Sequence, residues 1–146
     1  MRLRLMAALA AAAAVAGLMP APMSADPSTD YILNCRGCHG PGGGGAPGAV
    51  PAFPGQLGKF LQVPGGREFL VRVPGASQSE LDDAHLAALL NWALLTFSPA
   101  EVPAHFVPYS AAEVAATRRP PLIDVSGTRR RLMQQIEARE RRQDPP

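Results

Sequence analysis

Residues 34–45, NCRGCHGPGGGG, contain both cysteines of this 146-residue chain and one of its three histidines. Two thiols this close can form a disulfide, a metal site or a redox switch. The histidine directly after the second thiol narrows the choice. Cys35, Cys38 and His39 spell C-x-x-C-H, the spacing by which a c-type haem is attached. Two thiols three positions apart at a helix end can each reach one vinyl group of a porphyrin. The next residue then projects its imidazole toward the iron from one face. Cys35 and Cys38 are therefore expected to carry haem c as thioethers, with His39 as proximal iron ligand. A thioredoxin-like disulfide would need a surrounding βαβ pattern, which the sequence lacks. Zinc needs about four ligands, and no second cysteine or paired-histidine motif exists.

The N-terminus sets the compartment. Arg2 and Arg4 precede an apolar run from Leu5 to Leu18, and small residues with Pro20 and Pro22 follow up to Ala25. That is the layout of a secretory signal peptide, 1–25. The apolar run is shorter than the roughly 20 residues of a membrane span. A periplasmic protein is expected, associated with the membrane only if the leader stays uncleaved. Covalent attachment suits an exported chain that cannot easily regain a lost cofactor.

Charge divides unevenly over residues 26–146. Up to Ala116 there are four Lys/Arg against eight Asp/Glu, and from Thr117 onward eight Arg against four acids. The basic tail lacks aromatics to stack on bases, and its arginines are diluted by acids. No nucleic-acid binding is expected.

Local signals place the helices. DPSTDYILN offers Asp26 or Ser28 as N-cap, Pro27 early and Asp30 in the first turn. From Leu81, the residues Leu86, Leu89, Leu90, Ala93, Leu94 and Phe97 keep helical spacing. Asp82 and Asp83 stand where the helix dipole favours negative charge, and Ser98 with Pro99 ends the run. Between these helices, residues 40–58 hold eight glycines and four prolines, so neither helix nor strand can persist there. The loop is expected to wrap a flat macrocycle, since Gly avoids Cβ clashes and Pro51, Phe53 and Leu57 add apolar contacts. GKFLQVPGGREFLVRV is expected to give a short helix and then an extended piece.

On these motifs the span from about Asp26 to Phe97 resembles the class I cytochrome c domain. DYILNCRGCHG is similar to that family's N-terminal helix running into the haem motif, VPAFPGQ to its proximal Pro segment, and LDDAHLAALLNWALLTF to its C-terminal helix. The resemblance implies an all-α haem domain over 26–98 with a C-terminal extension over 99–146. It implies that Tyr31 and Trp92 pack near the haem edge where the terminal helices cross. It also implies that the Pro51 carbonyl accepts a hydrogen bond from the His39 ring.

The sequence departs from the family at the other face of the iron. VRVPGASQSELDD has no methionine, where most class I domains carry their second ligand. His105, just after the last helix, is the distal candidate; His85, Met133 and an open or weakly ligated position are the alternatives.

In the extension, PAEVPAHFVPY reads as a Pro-punctuated extended segment. Ser110 and Glu113 form a capping box for a short helix ending near Arg118. Leu122, Val125, Leu132 and Ile136 lie near one face of a second helix, interrupted by Gly127 and Arg129. This stripe could dock on the body, mark a partner helix or fray.

The expected function is single-electron transfer between a periplasmic dehydrogenase or other donor and an oxidase or other carrier. A haem-based sensor or small-ligand binder is the alternative. An enzyme such as a peroxidase is not expected, because no histidine has a partner placed for distal acid–base work.

Overall fold

The computed structural model describes residues 26–143, so the expected signal peptide lies outside the described residues. The chain is all-α. Its elements are α1 (Pro27–Asn34), α2 (Arg36–His39), a 3₁₀ turn (Leu57–Gln62), α3 (Gly66–Arg72), α4 (Pro74–Ser77) and α5 (Asp83–Phe97). A second 3₁₀ turn (Pro99–Glu101), α6 (Ala111–Thr117) and α7 (Val125–Gln143) follow. Among the described residues the only β pairing is an isolated bridge between Ala46 and Val50. No described helix is long and apolar enough to cross a membrane.

Helix ends follow their caps. Asp26, not Ser28, is the N-cap of α1: its carboxylate accepts from the Ser28 amide at 3.1 Å and the Thr29 hydroxyl at 2.7 Å. Asp82 caps α5 by accepting from the His85 amide at 2.8 Å. Leu86, Leu89, Ala93 and Leu94 are buried along α5, with Leu90 and Phe97 partly so. The residue that stops α5 also ties it to the rest. Ser98 is fully buried, its hydroxyl accepting from the Gly58 amide at 3.0 Å and donating to Glu101 at 2.7 Å.

Helices α1 and α5 cross through aromatic contacts. The Tyr31 ring lies 5.4 Å from Trp92 and 5.1 Å from Phe97, while Asp30 meets the His85 ring at 3.0 Å. The expected extended piece after residue 65 is helical instead, as α3 and α4. Gly65, at φ 80°, makes the turn, and a Cβ on Gly66 would sit 1.9 Å from the Phe60 carbonyl oxygen. That close approach folds α3 back on the 3₁₀ turn. Phe69, Leu70 and Val71 are all buried in succession, as in a helix enclosed on several sides. Enclosure outweighs the strand preference of the valines.

The extension shares the core of the body. Tyr109, Val114, Leu132 and Ile136 belong to one buried apolar cluster with Leu57, Phe60, Phe69, Leu86 and Leu94. Asn91 on α5 clamps Tyr109, donating to its carbonyl at 3.0 Å and accepting from its amide at 2.7 Å. Ser110 caps α6, but the Glu113 carboxylate does not close the expected box; it forks onto Arg67 of α3. Arg118 is only 6% exposed. Its guanidinium donates to the carbonyls of Ser77 (3.0 Å), Ser79 (2.7 Å) and Leu81 (2.7 Å) and to Asp83 (3.0 Å). One side chain from the extension thereby closes the end of α4 and holds the segment leading into α5.

Two outcomes are expected. Arg118→Ala leaves several of these acceptors without a partner and should cost roughly 3 kcal/mol, read as a lower urea midpoint at unchanged slope. The Arg67 guanidinium holds the Glu113 carboxyl below its ordinary value of 4.5. A group lowered on folding contributes stability above its unfolded pKa, lost as pH falls through the folded one. Glu113→Gln should therefore be less stable than the parent at pH 7, with the gap closing in acid.

Candidate functional site

Helix α1 hands the chain directly to α2. The Cys35 amide donates to Tyr31 at 2.9 Å, and the amides of Cys38 and His39 donate to the Cys35 carbonyl at 3.2 and 3.0 Å. Cys35, Cys38 and His39 thus share one helical turn. Both thiols are unpaired, Cys35 half-buried and Cys38 exposed. Burial, and then the Asp30 carboxylate, push the Cys35 thiol above its ordinary pKa. Redox-active C-x-x-C pairs have the opposite property, a lowered thiol pKa.

The His39 ring is fixed from two sides. Its Nδ1 lies 3.1 Å from the Pro51 carbonyl oxygen, and its face stacks on Phe53 at 3.9 Å. A carbonyl only accepts, so Nδ1 carries the proton and Nε2 keeps a free lone pair. Burial pushes the ring pKa below its ordinary value, partly offset by the hydrogen bond to Pro51. At neutral pH the imidazole is uncharged, the form that ligates metals.

The glycine-rich loop is held by hydrogen bonds of its own backbone. It folds on itself. The Gly45 amide donates to the His39 carbonyl at 2.9 Å, the Phe53 amide to Gly43 at 2.8 Å, and Ala46 pairs with Val50. Gly45 sits at φ 67°, and a Cβ there would lie 2.2 Å from the Val50 oxygen and 2.8 Å from the Pro51 oxygen. The glycine thus makes room for the carbonyl that orients His39.

Behind the motif lies a cavity of about 310 Å³. Tyr31, Cys35, His39, Pro51, Ala52 and Phe53 line it on the α1–α2 and loop side. Leu57, Phe60, Phe69, Leu70, Leu86, Leu89, Leu90 and Ala93 form its floor. Val73, Pro74, Gly75 and Ala76 complete one wall, and Val125 with Arg129 of α7 another. The lining is apolar apart from the motif, Tyr31 and Arg129. The Tyr31 hydroxyl is occupied, donating to the Gly40 carbonyl at 2.6 Å.

The structure brings Cys35, His39, Pro51 and Tyr31 together at this cavity. Cys38, exposed, is not among the lining residues, and neither is Trp92, whose ring packs against Tyr31 and edge-on to Phe97. The fold also keeps His105 away. The Phe106 amide closes a turn onto Pro103 at 2.9 Å, leaving His105 exposed in a separate groove with Leu61, Arg67 and Phe106. His85 is turned to Asp30, and Met133 lines a groove against residues 44–52. Arg129 was legible only as the charge interrupting the apolar stripe of α7.

Gly45→Ala should cost roughly 1–2 kcal/mol from the left-handed backbone alone and should displace the Pro51 carbonyl. The checking measurement is ¹⁵N NMR of the His39 ring, expected to change from one tautomer to a mixture. Gly44→Ala, where a Cβ meets nothing within 4 Å, should leave the ring unchanged. No family model matches the chain, and no curated protein matches it. The chemistry of the site must be inferred from its own residues and geometry.

Proposed function

We propose that the chain is an exported monohaem c-type cytochrome that carries single electrons between periplasmic partners. The observation that carries this reading is the placement of Cys35, Cys38 and His39 on one turn, of which Cys35 and His39 line an apolar cavity, with Nδ1 of His39 held by Pro51. Cys35 and Cys38 would bind haem c covalently, and Nε2 of His39 would ligate its iron. When bound, haem c supplies a one-electron iron couple. The residues fit such a group: the thiols are unpaired, the imidazole is neutral, and the lining is suited to a flat apolar ligand.

The chain's own part is ligation, orientation and exclusion of water. The Pro51 carbonyl fixes the imidazole and raises its donor strength. Leu57, Phe60, Phe69, Leu86 and Leu90 keep the cavity dry, which sets the local dielectric. The resemblance to class I cytochrome c domains supports the same reading, because Pro51 accepts from His39 as that likeness implies. A dehydrogenase or other donor and an oxidase or other carrier are the partners this function calls for.

One observation favours a second reading. Among the residues lining the cavity, His39 is the only histidine and no methionine accompanies it. An open sixth position would suit a small-ligand binder or sensor better than a carrier.

The first test is attachment. Denaturing gels of matured protein should retain haem stain and mass spectrometry should show one added haem; Cys35→Ala/Cys38→Ala should lose both. Covalent haem in the double variant would sink the proposal. The second test separates the readings. His105→Ala should leave the ferric spectrum unchanged. Rapid carbon monoxide binding by the reduced parent would favour the ligand binder, and a low-spin ferric form that excludes carbon monoxide would favour the carrier.

A further inference from the structure

Arg129 is the one cation among the residues that line the cavity. Among the described residues Lys59, Arg67, Arg72, Arg118 and Arg131 each pair with a carboxylate. Arg129, like Arg36, Arg119, Arg130, Arg141 and Arg142, makes no ion pair and no side-chain hydrogen bond among the described residues, and of these six it alone lines the cavity. Its neighbours one turn away on α7 are Val125, Ser126, Leu132 and Met133, none of them acidic. Arg129 also lines the adjoining groove between α7 and residues 44–52, so it stands at the boundary of the two. Arg129 is half-buried, and its guanidinium has no anionic partner among the described residues. Its planar fork matches a carboxylate well.

We infer that Arg129 is the docking point for a carboxylate on the edge of the group held at Cys35 and Cys38, so that α7 forms a working wall of the cofactor cavity. This rests on the haem reading above, since haem is a planar apolar group with carboxylates on one edge. The Leu and Phe side chains of the lining would receive the apolar faces of such a group, and Arg129 would receive a carboxylate of its edge. Val125, one turn earlier on the same face, supplies apolar contact. The extension is then a part of the cofactor site, beyond its role in covering the body.

The test uses the full-length matured protein with Arg129→Glu, Arg129→Lys and, as a control of equal charge change outside the cavity lining, Arg130→Glu. The two-unit charge change of Arg129→Glu, about 10 Å from a redox centre, alters its reduction equilibrium roughly fourfold at a dielectric constant of 80 and well over a hundredfold at 20, the exposed limit being the relevant end. Against a fixed reference couple, Arg129→Glu should lower the reduced-to-oxidised ratio by about tenfold, or about 59 mV for one electron. Arg129→Lys should stay close to the parent, and Arg130→Glu should move much less than Arg129→Glu. Hydrogen exchange gives a second readout. Amides of residues 125–136 should be slower in the haem-bearing parent than in Cys35→Ala/Cys38→Ala, and Arg129→Glu should lose that gain while keeping covalent haem. Equal shifts in Arg129→Glu and Arg130→Glu, or no haem-dependent protection of α7, would overturn the inference and leave the haem reading standing. A parent without covalent haem would overturn both.

Discussion

The hydrogen bond from the His39 ring to the Pro51 carbonyl is the contact on which the site depends. It joins a helical turn to a loop that has no regular structure of its own. Such a loop holds a fixed shape only if its backbone groups find partners, and here they find them close by. Gly45 donates to His39, Phe53 to Gly43, and Ala46 pairs with Val50. The positive φ of Gly45 lets the chain double back without a Cβ striking the carbonyls it must pass. Phe53, carried by the same loop, then lies flat on the imidazole. Ring orientation and tautomer follow from this one arrangement.

The second constraint is that the body and the extension share one core. Residues 26–98 make a few short helices around one long one, and small domains bury a smaller fraction of their surface. The extension supplies further cover. Tyr109 and Val114 reach the core from one side, Leu132 and Ile136 from another. Arg118 satisfies backbone carbonyls at the end of α4 that would otherwise be buried without partners. Polar satisfaction and apolar cover come from the same stretch of chain, so the extension and body stand as one packed unit.

Packing and chemistry also meet in the charges. Some arginines of the described chain hold elements together, as with Arg67 on Glu113 and Arg118 on Asp83. Arg129 differs from them in lining the cavity without a carboxylate partner. Acidic groups near the motif are also engaged: Asp30 meets His85, leaving the region beside Cys35 without a competing free base.

The sequence by itself determined what depends on residues within a few positions of each other. The C-x-x-C-H spacing, the Asp82 cap with the apolar face of α5, and the Ser110 cap of α6 are all local, because helical hydrogen bonds and caps reach three or four residues. Tertiary structure decided the rest. The later part of GKFLQVPGGREFLVRV, expected to be extended, is helical because it is enclosed on several sides. Glu113 leaves its own capping box because Arg67, distant in sequence, offers a charged fork. His105 stands away from the cavity because a turn at Pro103–Phe106 directs it elsewhere. Arg129, a mere interruption in an apolar stripe, reaches the cavity because α7 packs across the body. Each of these depends on contacts between residues far apart in the chain, and no periodicity or spacing within a segment encodes which distant surface it will meet.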